Sequence, residues 1–244
     1  MTSRLYLTAR NGFTLIELLV AISVGFVVIA AIMQVFLSSK VSYRTNEGLA
    51  RVQENGRFAI ELLQQQIRMA GFQDGDISAG PINKALFGKD SASGPDHKSD
   101  TLSIVFGSGA TPRMLDCRGQ WVAANDRWRN TYTLSKDKQL LCTSSSDKTD
   151  QSFTESLANG VEEMQIVYGE DLDHDKAVNR FVSADKVDNM SNVIAVRICL
   201  LVVTLRKADN ATHHHLSCDG NTASRGDGML RRSFSTTIQL RNRA

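Results

Sequence analysis

Apolar and polar positions divide the chain into three stretches. Residues 18–37 form an apolar run without a charged side chain. Roughly 20 helical residues at about 1.5 Å each cross a bilayer core, so this run predicts a membrane-spanning helix. Beyond it, apolar or small residues recur at Leu49, Val52, Gly56, Ala59, Ile60, Leu63, Ile67 and Ala70. Spacings of three and four are those of one helix face laid on a core. The helix is expected to continue to Ala70 and to stop at Gly71. Gly48 and Gly56 each weaken a helix by about 1 kcal/mol relative to alanine, and they mark where it is expected to loosen.

The third stretch changes period. Residues 71–100 are rich in Gly, Ser, Asp and Lys and include Pro81 and Pro95, which predicts a long connecting loop with little regular structure. Strand-like runs follow at 101–106, 131–135, 139–142, 161–168, 192–205 and 233–240. Their close spacing favours antiparallel pairing. The expected class is α+β, one layer of helix on one of mostly antiparallel sheet. The segments are then 1–12, 13–37, 38–70 and 71–244: a leader, a membrane helix, its amphipathic continuation and a single β-rich domain. A polar stretch covers 143–150.

One residue at the edge of the apolar run needs an explanation. Glu17 stands where a charge costs on the order of 3 kcal/mol and persists only with a partner or a function. Cleavage after Gly12 would create that partner. Phe13 would become the N-terminus, with an α-amino group whose unperturbed pKa is about 8, and Glu17 lies four residues on, one helical turn away. The carboxylate also sits in the first turn, where the helix dipole favours negative charge. An ordinary secretory signal has a shorter apolar core of roughly 7–15 residues and a small-residue cleavage site beyond it. An uncleaved anchor leaves Glu17 without a role.

Arg4 and Arg10, with no acid beside them, keep the N-terminus cytoplasmic by the positive-inside rule. Residues after about 38 are then expected outside the cytoplasm. The chain carries a formal charge of +2, and loss of those two arginines leaves none, so no basic excess argues for general nucleic-acid binding.

The sequence Gly12-Phe13-Thr14-Leu15-Ile16-Glu17 with its apolar run closely resembles the class III signal of type IV pilins and type II secretion pseudopilins. The resemblance implies cleavage after Gly12 by a prepilin peptidase, N-methylation of Phe13, and pairing of Glu17 with a subunit's N-terminal amine during assembly. Phe36, Lys40, Tyr43 and Arg44 look like the PilW family of minor pilins. So do Ala50-Arg51-Val52-Gln53-Glu54-Asn55-Gly56-Arg57-Phe58-Ala59, Arg68-Met69-Ala70-Gly71-Phe72, Val196-Arg197-Ile198 and the ending Thr236-Thr237-Ile238-Gln239-Leu240-Arg241-Asn242. Residues from about 73 to 160 carry no such likeness. Major pilins commonly have a proline in the membrane half of the helix; here every proline lies beyond residue 80.

The resemblance implies a type IV pilin-like fold and a structural, non-enzymatic minor pilin that helps to initiate assembly, at or near the pilus tip. It implies residence in the bacterial inner membrane before assembly. The implied partners are other minor pilins, the major pilin, the prepilin peptidase and the inner-membrane assembly platform, with a tip adhesin as a further candidate. A separate ATPase would drive polymerisation. The alternatives are a J-type pseudopilin of type II secretion, or a tip module contacting DNA or a surface through a basic patch around Arg225, Arg231 and Arg232.

Cys117, Cys142, Cys199 and Cys218 all fall on the outer side, where disulfides persist. No Cys-x-x-Cys pair suggests zinc or redox chemistry. Of three pairings, the sequence-local Cys117 with Cys142 and Cys199 with Cys218 are favoured; each closed loop would contribute roughly 3–3.5 kcal/mol.

Asp171, Asp173, Asp175 and Asn179 match positions 1, 3, 5 and 9 of a calcium loop. Lys176 replaces the glycine expected at position 6, and Val182 the glutamate at position 12. The alternative is a solvated acidic turn between strands; apart from this calcium candidate no cofactor is implied. His213-His214-His215 reads as an exposed turn, since three adjacent histidines cannot all face one ion. Trp121 and Trp128 beside Arg127 and Arg129 could form a stacking platform for single strands but read better as core or interface residues. No Gly-x-Ser-x-Gly elbow, His-Glu-x-x-His or phosphate loop is present.

Overall fold

The computed structural model describes residues 12–75, 82, 84–91, 99–111 and 114–242. Helix α1 runs unbroken over Leu15–Ile67. Eleven strands follow among the described residues: β1 (Leu86–Lys89), β2 (Thr101–Ser108), β3 (Asp126–Leu134), β4 (Gln139–Ser146), β5 (Ser152–Asn159), β6 (Val161–Glu170), β7 (Arg180–Val182), β8 (Val193–Val203), β9 (His213–Leu216), β10 (Thr222–Arg225) and β11 (Arg231–Gln239). The chain divides into two units at Arg44 and Thr45. Arg4, Arg10, Pro81 and Pro95 lie outside the described residues.

In the first unit, the described residues 12–44 are exposed around the whole helix, Gly25 alone being half-covered. Leu15, Val27, Ile32 and Phe36 all stand in the open. A helix apolar on every side belongs inside a membrane or a helical assembly. By length and composition this one is able to cross a bilayer.

In the second unit, α1 buries Val52, Gly56, Ala59, Leu63 and Ile67, the face the three-and-four spacing predicts. Val52, Ala59, Leu63 and Ile67 join Leu102, Ile104, Tyr132 and Leu140 from one sheet and Ile166, Ile198 and Leu200 from another in one continuous core. The α-helix ends three residues before Ala70. The Met69 and Ala70 amides donate to Gln66 and Ile67 in a tightened last turn, and Gly71 follows at φ +77°, the left-handed conformation that glycine takes without strain. Asn242 Nδ2 donates to the Arg68 carbonyl at 2.9 Å, so the chain's ending satisfies one of the acceptors a helix C-terminus leaves open.

The strands form two principal sheets where one is expected. One is a meander in the order β1-β2-β3-β4-β5; the other has the order β11-β8-β6-β7, and β9 and β10 make a separate hairpin. All these pairings are antiparallel. Each of the six strand-like runs lies mainly in a strand, and four further points are added. The segment 71–100 contains β1, which pairs with β2. The polar stretch 143–150 begins inside β4, where Ser144 and Ser146 continue the alternation of buried positions. Strand β5 is an exposed edge with little apolar pattern. Gly48 and Gly56 mark no loosening: Thr204 and Phe234 pack where their side chains would be.

The two principal sheets are joined ahead of β2. Ser99 bridges to Met164 of β6, the Asp100 amide donates to the Met164 carbonyl at 2.9 Å, and the buried Asp100 carboxylate accepts from the Ile166 amide at 2.7 Å. The bond Cys117–Cys142 fastens the β2–β3 connection to β4, and Cys199–Cys218 fastens β8 to the β9–β10 turn.

Candidate functional site

Two regions carry the chemistry singled out in the sequence. At the start of α1, Gly12 and Phe13 are non-helical and exposed, Phe13 at 87%. Thr14 caps the helix: its hydroxyl accepts from the Glu17 amide at 3.3 Å, and its carbonyl accepts from the Leu18 amide at 3.2 Å. Thr-x-x-Glu is the capping-box pattern. It gives Thr14 a role that the membrane-span reading passed over, and it fixes Glu17 in the first turn. The Glu17 side chain is exposed, and no described cation forms an ion pair with it. Deeper in the run, the Ser23 hydroxyl donates back to the Leu19 carbonyl at 2.8 Å, which lets a polar side chain sit in an apolar stretch.

The second region is the loop between β6 and β7. One oxygen from each of Asp171, Asp173 and Asp175 lies within 4.8 Å of the others, a grouping that could hold a metal ion. Asp171 is buried and the other two are exposed. Lys176 takes φ +69°, the left-handed conformation for which a glycine is expected at that position. Asn179 closes the loop by accepting from the Leu172 amide at 2.6 Å. A bond from its side chain also holds Asp173 below the usual carboxylate range. Val182 lies in β7 opposite Tyr168. At the loop's neck Glu170, fully buried, takes Arg180 at 2.9 Å.

The remaining candidates are dispersed. His213-His214-His215 is strand β9 and not a turn, paired with β10. Alternation along the strand separates the rings: His213 meets Asp209 at 2.8 Å, His214 is exposed and His215 is buried. Burial, helped by Arg231 and Arg225, lowers the His215 pKa. Trp128 packs with Phe106, Met114 and Val122, whereas Trp121 is exposed. Arg129 lies over the Phe87 ring at 4.7 Å. These residues form no shared stacking face.

The supposed basic patch is an ion-pair cluster. Arg231, its side chain 1% exposed, reaches Glu162 at 2.6 Å and Asp227 at 2.5 Å. Arg225 and Lys138 also contact Glu162, at 3.0 and 3.1 Å. Burial pushes the Glu162 pKa up, but Arg231 and Lys138 outweigh it and the net shift is down. Only Arg232 of the three patch arginines has no such partner among the described residues. A groove of about 690 Å³ beside Met69, Phe72, Met114 and Leu115 contains Asp116, already bonded to Arg118 at 2.6 Å.

Two family models match the chain. Residues 124–242 match that of type IV pilus-assembly protein W, and residues 7–33 that of the prokaryotic N-terminal methylation motif. Together they cover more than half of the chain. The first includes β3 through β11, and with them the acidic loop, the histidine strand and the Arg231 cluster. The second includes Gly12, Phe13, Thr14 and Glu17. No curated protein matches the chain.

Proposed function

The chain belongs to the PilW family of type IV pilus-assembly proteins, and from that premise we propose that this minor pilin helps to initiate pilus assembly and sits at or near the filament tip. The prepilin motif and apolar helix make it an inner-membrane-anchored pilin that is later incorporated into the pilus. The observation that carries the proposal is the asymmetry of α1. Its first 30 residues, 15–44, expose apolar side chains on all sides, while the rest buries one face in its own domain. The exposed part needs lipid first and other subunits' helices afterwards.

The prepilin peptidase cuts after Gly12 and methylates Phe13, and Glu17 then pairs with an N-terminal amine as the helices bundle. That pairing offsets the cost of carrying a carboxylate out of lipid into the helical core. The β-rich domain contacts other minor pilins laterally, and the assembly platform and major pilin complete the set of partners. Neutralisation of Arg225 and Arg231 by Glu162 and Asp227 weakens the alternative of a tip module that grips DNA there. Purification of the chain from membranes in mild detergent tests the reading. Co-purification of other type IV minor pilins is expected; type II secretion pseudopilins in their place would overturn it.

A further inference from the structure

We propose that the β6–β7 loop is a calcium site, with Asp171, Asp173 and Asp175 as ligands and Asn179 closing the loop through the Leu172 amide. The spacing of the acids alone would suit a solvated turn equally well. What separates the two readings is Asp171. It is 95% buried by its 5% exposure, and while Oδ2 accepts from the Lys176 amide at 3.0 Å, Oδ1 is buried without a hydrogen-bond partner. A buried carboxylate oxygen left unmatched is costly. Its carboxylate groups with those of Asp173 and Asp175, and no Lys or Arg among the described residues forms an ion pair with any of the three.

The dimensions suit the ion. Calcium–oxygen distances are about 2.3–2.6 Å, so two ligands of one ion are at most about 5 Å apart; the three carboxylates lie within 4.8 Å. The donors are all oxygen, which selects a hard cation. The absent glycine is no obstacle, because Lys176 already holds the left-handed turn. The absent glutamate at position 12 leaves fewer charges on the ion, which points to the weak affinities of extracellular modules, about 10⁻⁴–10⁻³ M. Bound calcium would order the loop that precedes β7, the edge strand of its sheet. The pilin reading enters only in placing this loop outside the cytoplasm, where calcium at such concentrations is available.

The test is calorimetric titration of the purified full chain in detergent with calcium chloride and, separately, magnesium chloride at constant ionic strength. One calcium ion per chain is expected, with a Kd of about 10⁻⁴–10⁻³ M and magnesium at least about tenfold weaker. In the double variant Asp173→Asn/Asp175→Asn, which alters two exposed side chains, calcium affinity should fall at least about tenfold. Amide exchange across 172–179 should slow with calcium in the parent chain and stay unchanged in the variant. No saturable uptake below about 10 mM calcium, an equal response to magnesium, or an unaltered affinity in the variant would overturn the proposal. Because the titration uses the isolated chain, calcium binding by a protein that never enters a pilus would leave this site standing and remove only the assembly reading.

Discussion

The ring of Phe234 occupies the space a side chain at Gly56 would need: a β-carbon there would overlap Cε2, Cδ2 and Cζ. This contact sets how closely α1 lies on β11. Alanine at position 56 improves helix propensity by about 1 kcal/mol but must displace an aromatic ring wedged between helix and strand, at a typical overpacking cost of about 1–3 kcal/mol. Gly56→Ala should therefore lower stability by roughly 1 kcal/mol net in chemical denaturation. In a Phe234→Ala background the same change should become stabilising. A Gly56→Ala chain as stable as the parent would show that the close approach is unimportant.

Arg231 is the centre of a charge cluster with Glu162, Asp227, Arg225 and Lys138, and burial makes its loss more serious than that of a surface cation. Removing one partner of a buried pair strands the other, at about 3–5 kcal/mol. Lys138 and Arg225 still face Glu162, so Arg231→Met is expected to cost about 3 kcal/mol, toward the lower end. Arg225 is half exposed, and Arg225→Ala should cost at most about 1 kcal/mol. Denaturant midpoints of both variants, compared at constant slope, check the difference; equal losses would mean that burial of Arg231 contributes nothing.

Helix α1 was legible because its signal is local. A core-facing helix repeats every three or four residues, and Val52, Ala59, Leu63 and Ile67 follow that period into the core. The start of α1 was legible too, as a conjunction of Gly12, Phe13 and Glu17 in a few residues. Strand β5 was not, because seven of its eight residues are not buried and an exposed edge imposes no alternation. Strand β9 was hidden by three identical residues, His213 to His215, that show no period at all. The second sheet was illegible for a different reason. Its tie to the first rests on Asp100 and Ile166, 66 residues apart, and the Arg231–Glu162 pair spans 69; such pairs leave no local pattern. In the acidic loop the carboxylate spacing was visible, but neither the left-handed backbone of Lys176 nor the orphaned oxygen of Asp171 follows from residue type.

The tie through Asp100 should make stability depend on pH with an unusual sign. Burial is the largest influence on this carboxyl and raises its pKa from 3.8 to about 6, against the lowering effect of the Ile166 and Ser91 amides. Between those values the folded chain holds a proton that the unfolded chain has released, so stability falls as pH rises through the window and is greatest below it. Two units correspond to at most about 3 kcal/mol. His215 acts oppositely in part of this range, since its folded pKa is lowered and acidification protonates the unfolded chain first. Asp100→Asn keeps an acceptor for the Ile166 amide and leaves His215 in place. Its stability relative to the parent should therefore improve as pH is raised from about 4 to 7. A difference between the two chains that is constant with pH would rule out the raised carboxyl.

Processing and assembly should separate at Glu17. The cleavage junction, Gly12 and Phe13, precedes the helix, and the Thr14 hydroxyl caps α1 through the Glu17 amide, a bond that does not use the carboxylate. Glu17→Ala thus preserves the junction, the Thr14 hydroxyl bond and the apolar run while deleting the carboxylate. Mass spectrometry of the variant should still show a chain beginning at N-methylated Phe13, in the same yield as the parent to within about twofold if the capping and dipole changes stay below about 0.5 kcal/mol. Incorporation should fail, because the helix would enter the bundle without a partner for a neighbouring amine. Sheared pili from the variant strain, probed for this subunit, should contain little or none of it while membranes retain it. Normal incorporation would eliminate the charge-pairing mechanism, and an intact leader in the parent chain would eliminate processing after Gly12.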